Sequence, residues 1–243
     1  MGRPVFEPWV AFVCGLIIGS FCNVVIYRLP LGESIITQGS HCRACFMPIR
    51  PWDNIPQLSY LLLAGRCRAC GEHISLRYPC VEFTSGALYM LLWLKQGFSL
   101  PFVAYALLLS TLLVVALIDR DHTIIPNSMT YPGMGAGLGL SPWALPITPL
   151  MGSTVLFAGG MFFYAVALVS KGGMGGGDIK LIAMIGAFLG WQGALFTILV
   201  GALTGSLVGI GLILLGKKGR KDGAILFTLV GDALIDWYIQ LAF

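Results

Sequence analysis

Charge is what this chain has least of. Only 11% of its 243 residues are charged, against 57% hydrophobic. A soluble domain of this length carries about 25% charged residues, so that class is excluded. The formal net charge is only +4. Its positive residues lie beside apolar runs, as topology signals do, which speaks against nucleic acid as a partner. Other signatures are missing too. No small-residue cleavage site follows the first apolar run, and an arginine-rich segment comes after it, so that run does not read as a removed signal peptide. The stretch "GGMGGGDIK" lacks the G-K-[ST] ending of a phosphate-binding loop, and no Rossmann-type G-x-G-x-x-G follows a strand. No internal repeat stands out.

What the chain does have is long apolar runs, near the length that crosses a bilayer. Eight spans are expected, at 8–29, 80–95, 101–119, 124–140, 151–170, 178–190, 193–216 and 223–242. The expected fold is an all-α polytopic membrane protein of about eight transmembrane helices. A small cytoplasmic zinc-binding insert separates the first and second. The expected divisions are a first transmembrane helix (1–29), the insert (30–79) and a transmembrane domain (80–243). With the N-terminus outside, 13 of the 15 Lys and Arg residues fall on the inner side, leaving Arg3 and Lys95 outside. That asymmetry sets the orientation and puts both termini outside. Asp119 and Asp178 then both lie at inner-face helix ends.

The insert contains "CRAC" at 42–45 and again at 67–70. C-x2-C-x21-C-x2-C offers four thiolates from two tight turns, as a tetrahedral structural zinc requires. A domain of about 50 residues is too small to build much core, so a metal staple is physically reasonable. Disulfides are the rival reading, disfavoured in a reducing cytosol. The candidate ligands are Cys42, Cys45, Cys67 and Cys70. His41 and His73 flank them and read as surface residues. Cys14, Cys22 and Cys80 lie in or beside spans and read as small buried hydrophobes.

Ionisable residues at membrane depth are costly and mark function. Asp119 ends the apolar run of "LLVVALIDRDHTIIPN", and Asp178 follows the glycine loop of "KGGMGGGDIKL". Facing each other, two carboxylates cannot both ionise easily. That is the design of an aspartic protease, in which one takes a proton from water and the other donates to the scissile carbonyl. The bland readings are a capping aspartate or unrelated juxtamembrane charges; Asp121, beside Arg120 and His122, fits those. Glycines at 172–177 free the backbone to admit an extended peptide beside Asp178, unless they form only a hinge. Asp178 at a helix start and Asp119 at a helix end suggest Asp178 as the base and Asp119 as the proton donor. Asp232 and Asp236, in "GDALIDWY", share one face of the last span and are a rival acid pair, although Asp232 reads better as facing the bundle interior and Asp236 as approaching the outer interface.

At these residues the chain resembles the prepilin peptidase family, whose G-x-G-D motif is present as Gly175-Gly176-Gly177-Asp178. "IDRDHTIIPN" is similar to its first aspartate motif, and "GSFCNVVIYRLP" (19–30) to the motif on its first span. The segment "HCRACFMPIRPWDNIPQLSYLLLAGRCRACGEHISLRYPCVE" is similar to its cysteine-bearing cytoplasmic domain. The resemblance covers about residues 7–215. It implies a bifunctional enzyme of the bacterial inner membrane that cuts the basic leader of prepilins and type II secretion pseudopilins at the cytoplasmic face. Such an enzyme then methylates the new N-terminal amine with S-adenosylmethionine. Catalysis falls to Asp119 and Asp178, and the substrate loop to Gly175, Gly176 and Gly177. The last span departs from the family, with "ILFTLVGDAL" where a proline-bearing stretch is expected. The alternatives are a peptidase without methylation and a proton-coupled transporter using the same aspartates.

Overall fold

The computed structural model describes residues 7–145, 150, 153, 161 and 176–214. The expected spans at 151–170 and 223–242, most of the glycine loop including Gly175, and Asp232 and Asp236 lie outside the described residues. The described part is mostly helical, and no named strand occurs in it. Three of its helical stretches are long and apolar enough to cross a membrane: Glu7–Leu31, Leu100–His122 and Gly176–Gly201. The chain divides into two compact units, Met1–Gly97 and Phe98–Phe243.

The first unit is built on two helices, α1 (Glu7–Arg28) and α3 (Arg77–Gln96). Glu7 in the first turn of α1 and Arg28 in its last complement the helix dipole. Small residues set how close the two helices come. A Cβ at Gly15 would stand 2.6 Å from the Ser85 carbonyl oxygen, and one at Gly19 would stand 2.7 Å from Cα of Glu82. Gly86 answers from α3, where a Cβ would lie 2.9 Å from the Phe12 ring. The Gly15-x-x-x-Gly19 spacing puts both glycines on one face, the small-residue contact by which helices pack without a water-driven core. Val13, Ile17 and Phe21 of α1 stay exposed. An apolar outside with a small-residue seam inside is what lipid, not water, demands.

Between α1 and α3 lies the cysteine-bearing insert. It holds two short 3-10 turns, Leu29–Leu31 and Pro51–Asn54, and one short helix, α2 (Leu58–Leu62). The sequence reading treated Arg28 as a topology charge. The structure shows it buried, donating to the carbonyls of Ser34 (3.2 Å), Gln38 (2.6 Å) and Gly39 (3.0 Å). Its guanidinium therefore fastens the segment that leads into the first cysteine turn. Of the three cysteines expected to be buried, only Cys22 is; Cys14 and Cys80 are exposed. Both sit on the outer faces of helices, where an apolar side chain needs no protein cover.

The second unit begins with α4 (Leu100–His122). The Ser99 hydroxyl caps it by accepting from the Phe102 amide at 3.3 Å, and Pro101 stands in its first turn. It ends at Thr123, a non-glycine residue in the left-handed region (φ 56°) whose amide donates to the Asp119 carbonyl at 2.7 Å. Extended Pro126 then opens α5 (Asn127–Ala144). The fourth span was expected from 124, but the residue before a proline is steered away from helix, so α5 starts three residues later. Two glycines of α5, Gly133 and Gly137, face α6 (Gly176–Leu214). Met184 occupies the space of any side chain at Gly133, and a Cβ at Gly137 would lie 2.8 Å from the Phe188 ring. Two spans were expected over 178–190 and 193–216. In the structure α6 is two helical segments that meet at a kink, where Gly190 is non-helical (φ 71°, ψ −175°), next to the expected junction.

Candidate functional site

Two constellations stand out, one in each unit. In the first, the two "CRAC" turns fold alike. The Cys42 amide donates to the Met47 carbonyl (3.0 Å), Phe46 donates back to Cys42 (3.0 Å), and Ile49 to Ser40 (2.8 Å). Twenty-five residues later the pattern recurs: Cys67 to Glu72 (2.8 Å), Gly71 to Cys67 (2.9 Å) and Ile74 to Gly65 (2.7 Å). One isolated antiparallel bridge closes each turn, His41 with Pro48 and Arg66 with His73. The residue after each second cysteine is left-handed, Gly71 at φ 73° and Phe46 at φ 58°.

The two turns bring the Sγ atoms of Cys42, Cys45, Cys67 and Cys70 within 4.8 Å of one another, a group that could hold a metal ion. Cys42 and Cys70 are 3.8 Å apart. The edge of a tetrahedron with metal–sulfur bonds of about 2.3 Å is about 3.8 Å, so the four sulfurs fit one ion. Amides of Cys45 and Ala44 hold the Cys42 thiol at about 6. At Cys70 the Glu72 amide favours the thiolate, yet desolvation and the other three sulfurs push it up to about 12. Four thiolates can coexist here only around a cation. Neither His41 nor His73 enters the group; the His41 ring stacks on Phe46.

The arginine of each turn anchors it. Arg68 makes a forked contact with Asp53 of the Pro51–Asn54 turn, its Nη2 2.7 Å and its Nε 2.9 Å from the carboxylate. Arg43 lies over the Tyr27 ring at 3.6 Å and near the Tyr78 ring at 5.5 Å, at the ends of α1 and α3. Deeper, Asn23 of α1 donates to the Tyr78 carbonyl (3.1 Å). Glu82 of α3 accepts from the Gln57 amide (2.9 Å) and from its side chain (3.2 Å). Tyr27 and Arg28 of "GSFCNVVIYRLP" therefore tie the insert to α1, Asn23 ties α1 to α3, and Glu82 ties α3 to the insert. Sequence reasoning assigned none of these roles, although polar Asn23 and Glu82 within apolar runs were a usable signal.

In the second unit, α4 delivers Asp119 to its last turn, half-buried, and α6 presents Asp178, exposed, in its first turn. The first turn of α6 packs on the segment that follows Asp119, through Gly177 and Ile125, and the charges of Asp178 and Asp119 repel each other. Asp121 is exposed in the last turn of α4. Gly176 and Gly177 are already helical, so the loop expected over 172–177 has given way to α6 by Gly176. Their surroundings differ. A Cβ at Gly176 would meet nothing within 4 Å, whereas one at Gly177 would lie 2.9 Å from Cβ of Ile125. Beyond Asp178, Lys180 donates to Asn127 Oδ1 at 2.8 Å and stands 5.4 Å from the centre of the Tyr131 ring.

Comparison with known proteins agrees with this division. The bacterial peptidase A24 N-terminal domain matches residues 13–96, and the type IV leader peptidase family matches residues 106–210. The prepilin leader peptidase/N-methyltransferase of Myxococcus xanthus is 39% identical over 239 residues, covering 95% of this chain and 70% of the relative. That of Bacillus subtilis is 34% identical over 246 residues, 96% of this chain and 98% of the relative. That of Klebsiella pneumoniae is 40% identical over 202 residues, 78% and 88% respectively. No solved structure matches the chain.

Proposed function

The chain belongs to the type IV leader peptidase family, and on that premise we propose that it is a membrane aspartic endopeptidase and N-methyltransferase acting on prepilins and type II secretion pseudopilins. The observation that carries the reading is the packing of the first turn of α6 on the segment after Asp119, Gly177 against Ile125, which leaves the charges of Asp178 and Asp119 near enough to repel, in a chain whose relatives bear the peptidase and methyltransferase name. Asp178 takes a proton from a water molecule, whose oxygen attacks the scissile carbonyl. Asp119 donates its proton to the carbonyl oxygen. Collapse of the tetrahedral species breaks the C–N bond, and the departing amine takes up a proton. The leader leaves as a carboxylate, and the mature protein keeps a new N-terminal amine.

A peptide bond inside an intact helix is hard to reach, so the scissile segment is extended. Gly176 gives it room, since a Cβ there would meet nothing within 4 Å, whereas Gly177 packs on Ile125. S-adenosylmethionine would then supply the methyl group: the new amine nitrogen attacks its methyl carbon, the carbon–sulfonium bond breaks, S-adenosylhomocysteine leaves, and the amine loses a proton. Cys42, Cys45, Cys67 and Cys70 hold one structural zinc, which knits the two turns of the insert together.

Eight helices cross the bacterial inner membrane, with lipid around them and both termini outside. Residues 30–79 lie in the cytoplasm, and 80–243 form the peptidase domain with its acids at the cytoplasmic face. The test is a reconstituted assay with a prepilin, with and without S-adenosylmethionine. Cleavage should occur in both conditions and methylation only in the second. Absence of cleavage by folded, metal-loaded protein would refute the reading.

A further inference from the structure

The first turn of α6 touches the segment 119–131 at several places. Asp178 acts on Asp119, Gly177 packs on Ile125, and Lys180 reaches Asn127 and Tyr131. Residues two apart on a helix point about 200° from each other. Asp178 and Lys180 therefore look in roughly opposite directions, and it is Lys180 that reaches the start of α5. Asn127 and Tyr131, four residues apart, share one face of α5. Together they present a carbonyl oxygen and a ring face to a single ammonium group.

A lone lysine near the end of an apolar helix normally extends its charge to the membrane surface. Here the amine instead meets a hydrogen-bond acceptor 53 residues away in the chain and lies near an aromatic face. A contact on the side of α6 away from Asp119 fixes the rotation of α6 about its own axis. It thereby fixes the direction in which Asp178 points. Gly177 sits between the two contacts and permits the close approach that both need.

We infer that Lys180, held by Asn127 and Tyr131, is a positioning residue for the acid pair, a peg that keeps Asp178 turned toward Asp119. The inference rests on the aspartic peptidase reading above. It assigns Lys180 no contact with substrate and no proton transfer. Its consequence is a defect in the chemical step rather than in substrate binding. A misplacement of about 1 Å in a catalytic group can cost on the order of a hundredfold in rate.

The test uses full-length protein in proteoliposomes, with a prepilin substrate and steady-state kinetics. Lys180→Met and Asn127→Leu should each lower kcat about ten- to a hundredfold, with KM within about twofold. The double variant should be no slower than the slower single, because both remove one contact. Lys180→Arg can still donate to Asn127 and stack on Tyr131, so it should restore most of kcat. Unchanged kcat in either single variant, losses that multiply in the double, or losses that only track the folded fraction would each overturn the inference. Asp119→Asn is assayed alongside. If it still cleaves, the acid-pair reading fails; if it is dead while Lys180→Met is normal, only the peg fails.

Discussion

Gly176 and Gly177 are neighbours in sequence and in the first turn of α6, yet a methyl group added to each should have opposite consequences. At Gly177 the new Cβ would stand 2.9 Å from Cβ of Ile125, where ordinary contact begins at 3.4 Å. The first turn of α6 must therefore retreat by about 0.5 Å, because Ile125 is β-branched and its Cβ is fixed to the backbone. Overpacking of this kind costs about 1–3 kcal/mol, offset by up to about 1 kcal/mol of gained helix propensity. Asp178 is the next residue, so the retreat separates it from Asp119. Gly177→Ala should lower kcat about tenfold or more, and Gly177→Val more severely. At Gly176 the Cβ meets nothing within the protein. Gly176→Ala should hold or raise the melting temperature and leave kcat intact. It should raise KM, because it enters the space assigned to the substrate backbone. Cleavage of a prepilin by purified variants, measured with thermal unfolding on the same samples, separates the two. Equal kcat losses at both positions would refute the packing argument. An unchanged KM in Gly176→Ala would remove the substrate from that side.

Two further outcomes concern the insert. Purified protein should carry one zinc per chain, and Cys67→Ala should reduce that stoichiometry and unfold the insert, since site formation and folding are coupled; elemental analysis with limited proteolysis checks it, and a full zinc complement in the variant would contradict the ligand set. Phe46 holds a left-handed conformation that glycine occupies at the equivalent Gly71, so Phe46→Gly should stabilise the insert by up to about 1 kcal/mol. Slower zinc loss to a chelator would support this, and faster loss would contradict it.

What the sequence disclosed followed the range of each interaction. The four thiols were legible because each pair is local and its spacing is dictated by a turn. Helices α1 and α4 were legible because apolar runs this long have few other uses. The break at Gly190 was approached by the gap left between 190 and 193, but a glycine alone does not announce its φ. The start of α5 was misplaced because hydropathy outweighed Pro126 in the reading. The Lys180 contact with Asn127 spans 53 residues, and no local pattern encodes it. Arg28 reads as a topology charge by sequence because its three carbonyl acceptors are backbone groups, which have no sequence signature. The likeness of Phe46 to Gly71 could have been found by aligning the two cysteine turns. It was hidden because phenylalanine gives no hint of positive φ.

The central claim is that Asp119 and Asp178 together perform the proteolysis. It is tested most directly by mass spectrometry of a prepilin incubated with Asp119→Asn and Asp178→Asn in the presence of S-adenosylmethionine, beside an already cleaved pilin given to the same variants. The account predicts that neither variant cuts the prepilin, because neither carboxylate can serve both proton roles, while both still methylate the cleaved pilin. Prepilin turnover at the unsubstituted rate in either variant would contradict it.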